Sequence, residues 1–138
     1  MKRVLLSDSG PKTSDSIYSF WRWQNEADLT VERVKEITEY LLSLGINAFD
    51  ISPLYGKGKL EELFGKALQE LAVNREEIVL FTKITNKHVQ EDGSFIFQPL
   101  TEKSIQQQID ASLNQLNTEY LDVVLLEGFD PLMKVDAV

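Results

Sequence analysis

The chain has 138 residues, with 14 Lys and Arg against 22 Asp and Glu, for a formal net charge of −8. That length suits one domain, and 43% hydrophobic with 26% charged residues favours a packed core over disorder. The acidic balance argues against a nucleic-acid partner, the lack of Cys excludes disulfides, thiolate catalysis and the common structural zinc sites, and one His gives no basis for a His-rich metal site or a Ser/His/Asp triad.

The apolar runs fall far short of the roughly 20 residues that span a membrane. Met1 is followed by two basic residues, but Asp8, Ser9, Gly10 and Pro11 cut the apolar stretch, so no signal peptide is expected. The expectation is a cytoplasmic protein with no membrane partner and no metal.

Met1 to Gly10 reads as a short strand or plug ahead of the first repeat. Ile17 to Trp23 is aromatic and apolar, a strand. Thr30 to Leu44 is an amphipathic helix, with Val31, Val34, Ile37, Leu41 and Leu44 stepping by three or four. Thr30 or Asp28 can cap it, and Gly45 supplies its stop. Asn47 to Ile51 is a short strand. Lys59 to Leu71 is the second helix, with Leu60, Leu63, Phe64, Ala67 and Leu68 on one face. Glu77 to Ile84 holds a continuous apolar run, which suits a strand buried on both faces. A polar loop from Thr85 to about Leu100 contains the turn signal Glu91-Asp92-Gly93-Ser94. Thr101 caps a third helix that ends at Leu116, with Ile105, Ile109, Leu113 and Leu116 inward. Leu121 to Leu126 is another continuous apolar strand, and Asp130-Pro131 opens a fourth helix. The order β-α-β-α-β-α-β predicts an α/β fold of right-handed βαβ units with a parallel sheet.

In such folds ligands gather at the carboxyl ends of the strands. The first strand ends at Trp21-Arg22-Trp23. The second delivers Asp50, with Tyr55 just beyond it. The third ends at Lys83 and the fourth at Glu127. Taken singly, Asp50 is a turn or cap residue, Tyr55 and the two Trp are packing groups, and Lys83 and Glu127 are surface charges. Independent surface residues need not share one rim, and these do. The set also has a chemistry. A tyrosine with its reference pKa of about 10 is a poor acid at neutral pH, but a nearby ammonium stabilises a phenolate and lowers that pKa. A carboxylate keeps such a lysine charged and aimed. Asp50, Lys83 and Tyr55 thus suit protonation of a carbonyl oxygen while a hydride reaches carbon.

Two other patterns carry less. Gly56-Lys57-Gly58-Lys59 follows a strand and precedes a helix, but lacks the spacing of a phosphate-binding loop. Lys2 to Asp8 is similar to the opening strand of a receiver domain, with Asp50 where a phosphoacceptor would lie. Ser9-Gly10-Pro11-Lys12 and a further strand stand where such a domain starts a helix.

The segment from Gly45 to Gly56, followed by Glu62 and Gly65-Lys66-Ala67-Leu68, resembles the aldo-keto reductase signature, G-x-x-x-F-D-T-A-x-x-Y-G and then E…G-x-A-L. Arg75 to Lys83 is similar to the family's R-E-x-x-x-x-x-T-K segment, and Tyr120 to Leu126 to its Y-L-D-L-x-L-x strand. The resemblance implies a TIM (β/α)8 barrel, NADPH (NADP+) as cofactor and a small carbonyl substrate. It implies Tyr55 as general acid, tuned by Lys83 and Asp50. It places Trp21, Arg22 and Trp23 near the nicotinamide and substrate, with Ser19 at a position where the family usually has glycine. The family's H-x-P-D-P-L pattern is Glu127-Gly128-Phe129-Asp130-Pro131-Leu132 here, so Glu127 stands for the histidine. A neutral imidazole donates a hydrogen bond to the substrate oxygen. An ionised Glu cannot, whereas a protonated one can. The family's steroid double-bond reductases also carry Glu at this place, so an activated double bond joins the carbonyl as a candidate substrate.

A complete barrel takes about 250 residues. The 138 residues supply four strands, the N-terminal half of such a barrel as a single unit spanning 1–138. Four strands leave two open edges. The family's phosphate-gripping groups come mostly from its second half. The expectation is a truncated chain, inactive alone, that awaits a C-terminal half or associates with itself. The alternative is a non-catalytic, self-associating half-barrel or a regulatory remnant of the family.

Overall fold

The computed structural model describes residues 1–23, 29–90 and 92–128. Asp28, Glu91 and the expected helix opening at Asp130-Pro131 lie outside the described residues.

Strands β1 (Arg3–Leu5) and β2 (Lys12–Ser14) form an antiparallel hairpin. They are followed by β3 (Ile17–Ser19), α1 (Val31–Ser43), β4 (Ala48–Asp50), α2 (Leu60–Glu70) and β5 (Val79–Thr85). A second hairpin, β6 (Lys87–Val89) and β7 (Phe95–Phe97), precedes α3 (Glu102–Gln115) and β8 (Val123–Glu127). The main sheet has the order β3-β4-β5-β8, and every pair in it is parallel. This is the βαβ succession expected of half a barrel.

Helix ends follow their cap chemistry. Thr30 Oγ1 accepts from the Arg33 amide at 3.1 Å, and Gly45 takes a φ of 84°, the left-handed value that ends a helix. Thr101 and Ser104 form a reciprocal capping box on α3.

The core lies in two layers, because strand side chains alternate between faces. Phe49 and Leu80 point to the helix side, where they meet Phe20, Leu60, Phe64, Ile78 and Leu116. Phe64 is the hub, with ring centroids 5.5 Å from Phe20 and 5.7 Å from Phe49. Ala48, Val79, Phe81 and Val123 form the smaller layer on the opposite face.

At the amino ends of the strands, side chains tie the elements together. Asn47 accepts from the Ser14 amide at 2.7 Å and donates to the carbonyls of Lys12 and Glu77. The hairpin β1–β2 is thereby fastened below β4, which gives the expected plug a definite form. Arg75 donates to Asp122 Oδ2 at 2.7 Å and to Thr118 Oγ1, the Ile78 carbonyl and the Tyr120 carbonyl. Asp122 Oδ2 also accepts from the Leu80 amide at 2.9 Å, so the start of β8 is bolted to the start of β5.

Two expectations need correction. The first strand stops at Ser19 and does not run to Trp23. Phe20 and Trp23 both pack on the helix side, with centroids 4.9 Å apart, and a continuous strand would put residues three apart on opposite faces. The Thr85 to Leu100 segment is not all loop, since β6 and β7 pair within it. Each of those strands has three residues, too few to show alternation. The open apolar edge expected of the last strand is present in β8, where Val124, Leu125 and Leu126 are 38%, 42% and 41% exposed. Among the described residues it pairs only with β5.

Candidate active site

Asp50 is the last residue of β4 and pairs in register with Phe81. Lys83, two residues further along β5, therefore shares its face of the sheet. Tyr55 follows in a tight 3-10 turn over Tyr55–Gly58 that leads into α2. Gly56 at φ 57° permits that turn, and a Cβ there would lie 2.8 Å from Leu29 Cδ2. The turn buries the Tyr55 ring and aims its hydroxyl back at β4.

The three side chains meet on one carboxylate. Lys83 Nζ donates to Asp50 Oδ1 and, at 3.2 Å, to the Ile51 carbonyl. Tyr55 Oη donates to Asp50 Oδ2 at 3.2 Å. The Lys83 ammonium lies 4.7 Å from the centroid of the Tyr55 ring. Burial is the largest single influence on Lys83 and opposes its charge. Hydrogen bonding to Asp50 and Tyr55 and attraction to both together outweigh it, so the pKa of Lys83 is raised above the ordinary lysine value. The group is an ammonium across the neutral range.

The other rim residues are placed differently. Trp21 is exposed, with the Arg22 guanidinium 5.7 Å from its ring centroid. Trp23 is half-buried toward the helix layer, and its indole Nε1 donates to Tyr18 Oη at 3.1 Å. Glu127 ends β8 opposite Thr85, two residues beyond the Lys83–Leu125 pair, and so falls on the face that carries Lys83. Its Oε2 is buried with no hydrogen-bond partner among the described residues. His88 lies in β6, opposite Ile96, and lines a helix-side cleft of about 260 Å³ with Glu61, Thr85 and Gln108.

The sequence reading noted Ser19 only as a departure from the family pattern and missed Glu61 altogether. Ser19 Oγ donates to Asp50 Oδ2 at 2.6 Å and accepts from the Trp21 amide at 3.2 Å. A hydroxyl where glycine was expected was the available signal. Glu61 is only 1% exposed and accepts from Thr82 Oγ1 at 2.5 Å and from Ser112 Oγ at 3.0 Å. Burial, the dominant influence, raises its pKa, while both hydroxyls and the charge of Lys83 pull the other way. The signature match picked out Glu62, which is exposed and pairs with Lys66 at 2.5 Å. The helical spacing held the signal, since Glu61 lies three and four residues before the buried Phe64 and Gly65.

No described helix is long and apolar enough to cross a membrane. Among the described residues, no group of three or more His, Asp or Glu side chains is placed to hold a metal ion.

Residues 19–138 match the model of the aldo/keto reductase family. A putative voltage-gated potassium channel subunit beta of Schizosaccharomyces pombe is 31% identical over 96% of this chain and 38% of its own length. The oxidoreductase YdhF of Escherichia coli is 27% identical over all of this chain and 46% of its own. Among solved structures, the holo form of the aldo-keto reductase AKR11C1 from Bacillus halodurans superposes with a TM-score of 0.81 at 28% identity, covering 99% of this chain and 43% of that one. The chain thus spans less than half the length of these relatives. Its four parallel strands correspond to part of their TIM barrel, and the motifs that build the Asp50 cluster and the Arg75–Asp122 bolt lie within the matched residues. The chain belongs to the aldo-keto reductase family.

Proposed function

We propose that this chain carries the proton-transfer half of an NADPH-dependent reductase acting on a carbonyl or an activated double bond. The observation behind this reading is the Asp50 carboxylate, with the Lys83 ammonium on one oxygen and the Tyr55 hydroxyl on the other, at the carboxyl ends of parallel strands.

The residues present fit the nicotinamide end of the cofactor. Trp21 offers an exposed indole face joined through Ser19 to the cluster, with a cation beside it. When bound, the cofactor supplies the hydride. Tyr55 gives its Oη proton to the substrate oxygen as the carbonyl bond takes up hydride at carbon, and solvent returns the proton afterwards. Lys83 stabilises the charge left on Oη, and Asp50 holds Lys83 in place. Glu127, whose Oε2 has no hydrogen-bond partner among the described residues, shares that face and is the second rim group toward the substrate.

The chain covers 29–46% of the length of curated relatives that it matches, and the reading assigns the grip on the cofactor phosphates to a second half. The test is a titration of NADPH into this chain alone and into the same chain complemented by a C-terminal half-barrel, followed by carbonyl-dependent oxidation of the cofactor. Binding and turnover are expected only in the complemented form. Tight NADPH binding by the 138-residue chain alone contradicts the division.

A second reading has support from a relative named as a channel subunit. In it the half-barrel is a non-catalytic member of an assembly. Light scattering tests it, because this reading requires a dimer or larger species of the chain by itself, and a monomer at high concentration contradicts it.

A further inference from the structure

We propose that Ser19 is a positioning residue of the Asp50 cluster, whose hydroxyl keeps Asp50 Oδ2 paired when the Tyr55 hydroxyl turns from that oxygen toward a substrate. The catalytic part of this inference rests on the reductase reading above. The geometric part stands without it.

The parallel register sets Ser19 directly opposite Asp50, each the last residue of its strand. Two hydroxyls then converge on one carboxylate oxygen, Ser19 Oγ at 2.6 Å and Tyr55 Oη at 3.2 Å. The direction of the serine bond is set by its other partner. Ser19 Oγ accepts the Trp21 amide proton at 3.2 Å, which leaves its single hydrogen for the carboxylate. A carboxylate oxygen already serving one short donor is a weaker acceptor for the next. Ser19 therefore loosens Tyr55 from Asp50 while Asp50 still holds Lys83 through Oδ1.

The consequence falls on proton transfer. As the Tyr55 O–H bond breaks and a new O–H bond forms on the substrate oxygen, Tyr55 ceases to donate to Asp50. With Ser19 present, Oδ2 keeps a partner. With alanine there, release of Tyr55 strands a charged oxygen, at the cost of a charge-assisted hydrogen bond. The same hydroxyl fastens the Trp21 turn to the cluster, so the rim residue nearest a ligand is registered against the proton donor.

The test needs Ser19→Ala, Ser19→Thr and Tyr55→Phe. In the 138-residue chain itself, tyrosine labelled with carbon-13 at Cζ reports phenol hydrogen bonding, and Tyr55→Phe identifies its signal among the four tyrosines. Ser19→Ala is expected to move the Tyr55 signal downfield as its bond to Asp50 tightens, and Ser19→Thr to leave it in place. An unmoved signal in Ser19→Ala overturns the inference. In the complemented barrel, Ser19→Ala should lower kcat about tenfold with KM within about twofold, and Ser19→Thr should restore it. If Tyr55→Phe abolishes turnover and Ser19→Ala leaves it intact, the Ser19 role alone is refuted. If Tyr55→Phe stays active, the reductase reading fails and the carbon-13 result still decides the geometry.

Discussion

Gly65 of α2 lies so close to Gln115 of α3 that a Cβ on it would sit 2.2 Å from the Gln115 carbonyl oxygen. The glycine sets the distance between two helices, and its buried position leaves no slack. Gly65→Ala forces α2 and α3 apart, and overpacking of this kind costs about 2 kcal/mol. Calorimetry should show the melting temperature falling by several degrees, and an unchanged value would contradict the helix spacing.

The buried carboxyl of Glu61 makes a pH prediction with a definite sign. Its folded pKa is raised above the value of 4.5 of a free glutamate, so the folded chain binds that proton more tightly than the unfolded chain. Its stabilising contribution is complete below the unfolded value and is lost as pH rises through the folded one. Glu61→Gln keeps the size and the hydrogen-bonding capacity toward Thr82 and Ser112 while removing the charge. As pH rises above the free glutamate value of 4.5, the parent should lose more stability than Glu61→Gln in parallel urea titrations. Equal slopes would show that Glu61 does not ionise in that interval.

Arg75 and Asp122 are both largely buried, with side chains 20% and 12% exposed, and both lie in segments that resemble family motifs. Their role here is to join the starts of β5 and β8. Arg75→Ala leaves the Asp122 carboxylate with an amide and no counter-charge. Removing one member of such a pair costs about 3 kcal/mol. The denaturant midpoint should fall while NADPH affinity of the complemented barrel holds. A loss of affinity without a loss of stability would move Arg75 to the ligand.

Tyr55→Phe should keep the buried ring and its packing, so melting should be unaffected. If Tyr55 is the proton donor, turnover in the complemented barrel drops about a thousandfold, within the range for general acid catalysis. NADPH affinity should stay within about twofold. Unchanged turnover would refute the assignment.

Much of this was legible because period and punctuation agree. Val34 and Leu41 of the expected stripe are buried on one face of α1, whereas Leu44 caps the helix and is 49% exposed, and Thr30, Gly45 and Thr101 mark ends that the backbone respects. Asp50, Tyr55 and Lys83 were found from strand ends, and the structure gathers them on one carboxylate. The short hairpin β6–β7 was illegible because three-residue strands carry no period. Ser19 was noticed as a departure from a pattern, but its bond to Asp50 depends on the β3–β4 register, which only pairing reveals. The exposure of β8 was legible from the strand count, since four strands leave the last one as an open edge.

The two ends of the sheet answer to different pressures. Asn47, Arg75 and Asp122 fasten the amino ends, while Ser19, Asp50, Tyr55 and Lys83 gather at the carboxyl ends. A library randomised at Trp21, Arg22 and Lys57 should therefore yield variants that differ in what they bind yet express alike. The same diversity at Asn47 and Arg75 should yield mostly insoluble protein. In directed evolution the carboxyl rim is the searchable surface, and the amino rim is the part to leave alone.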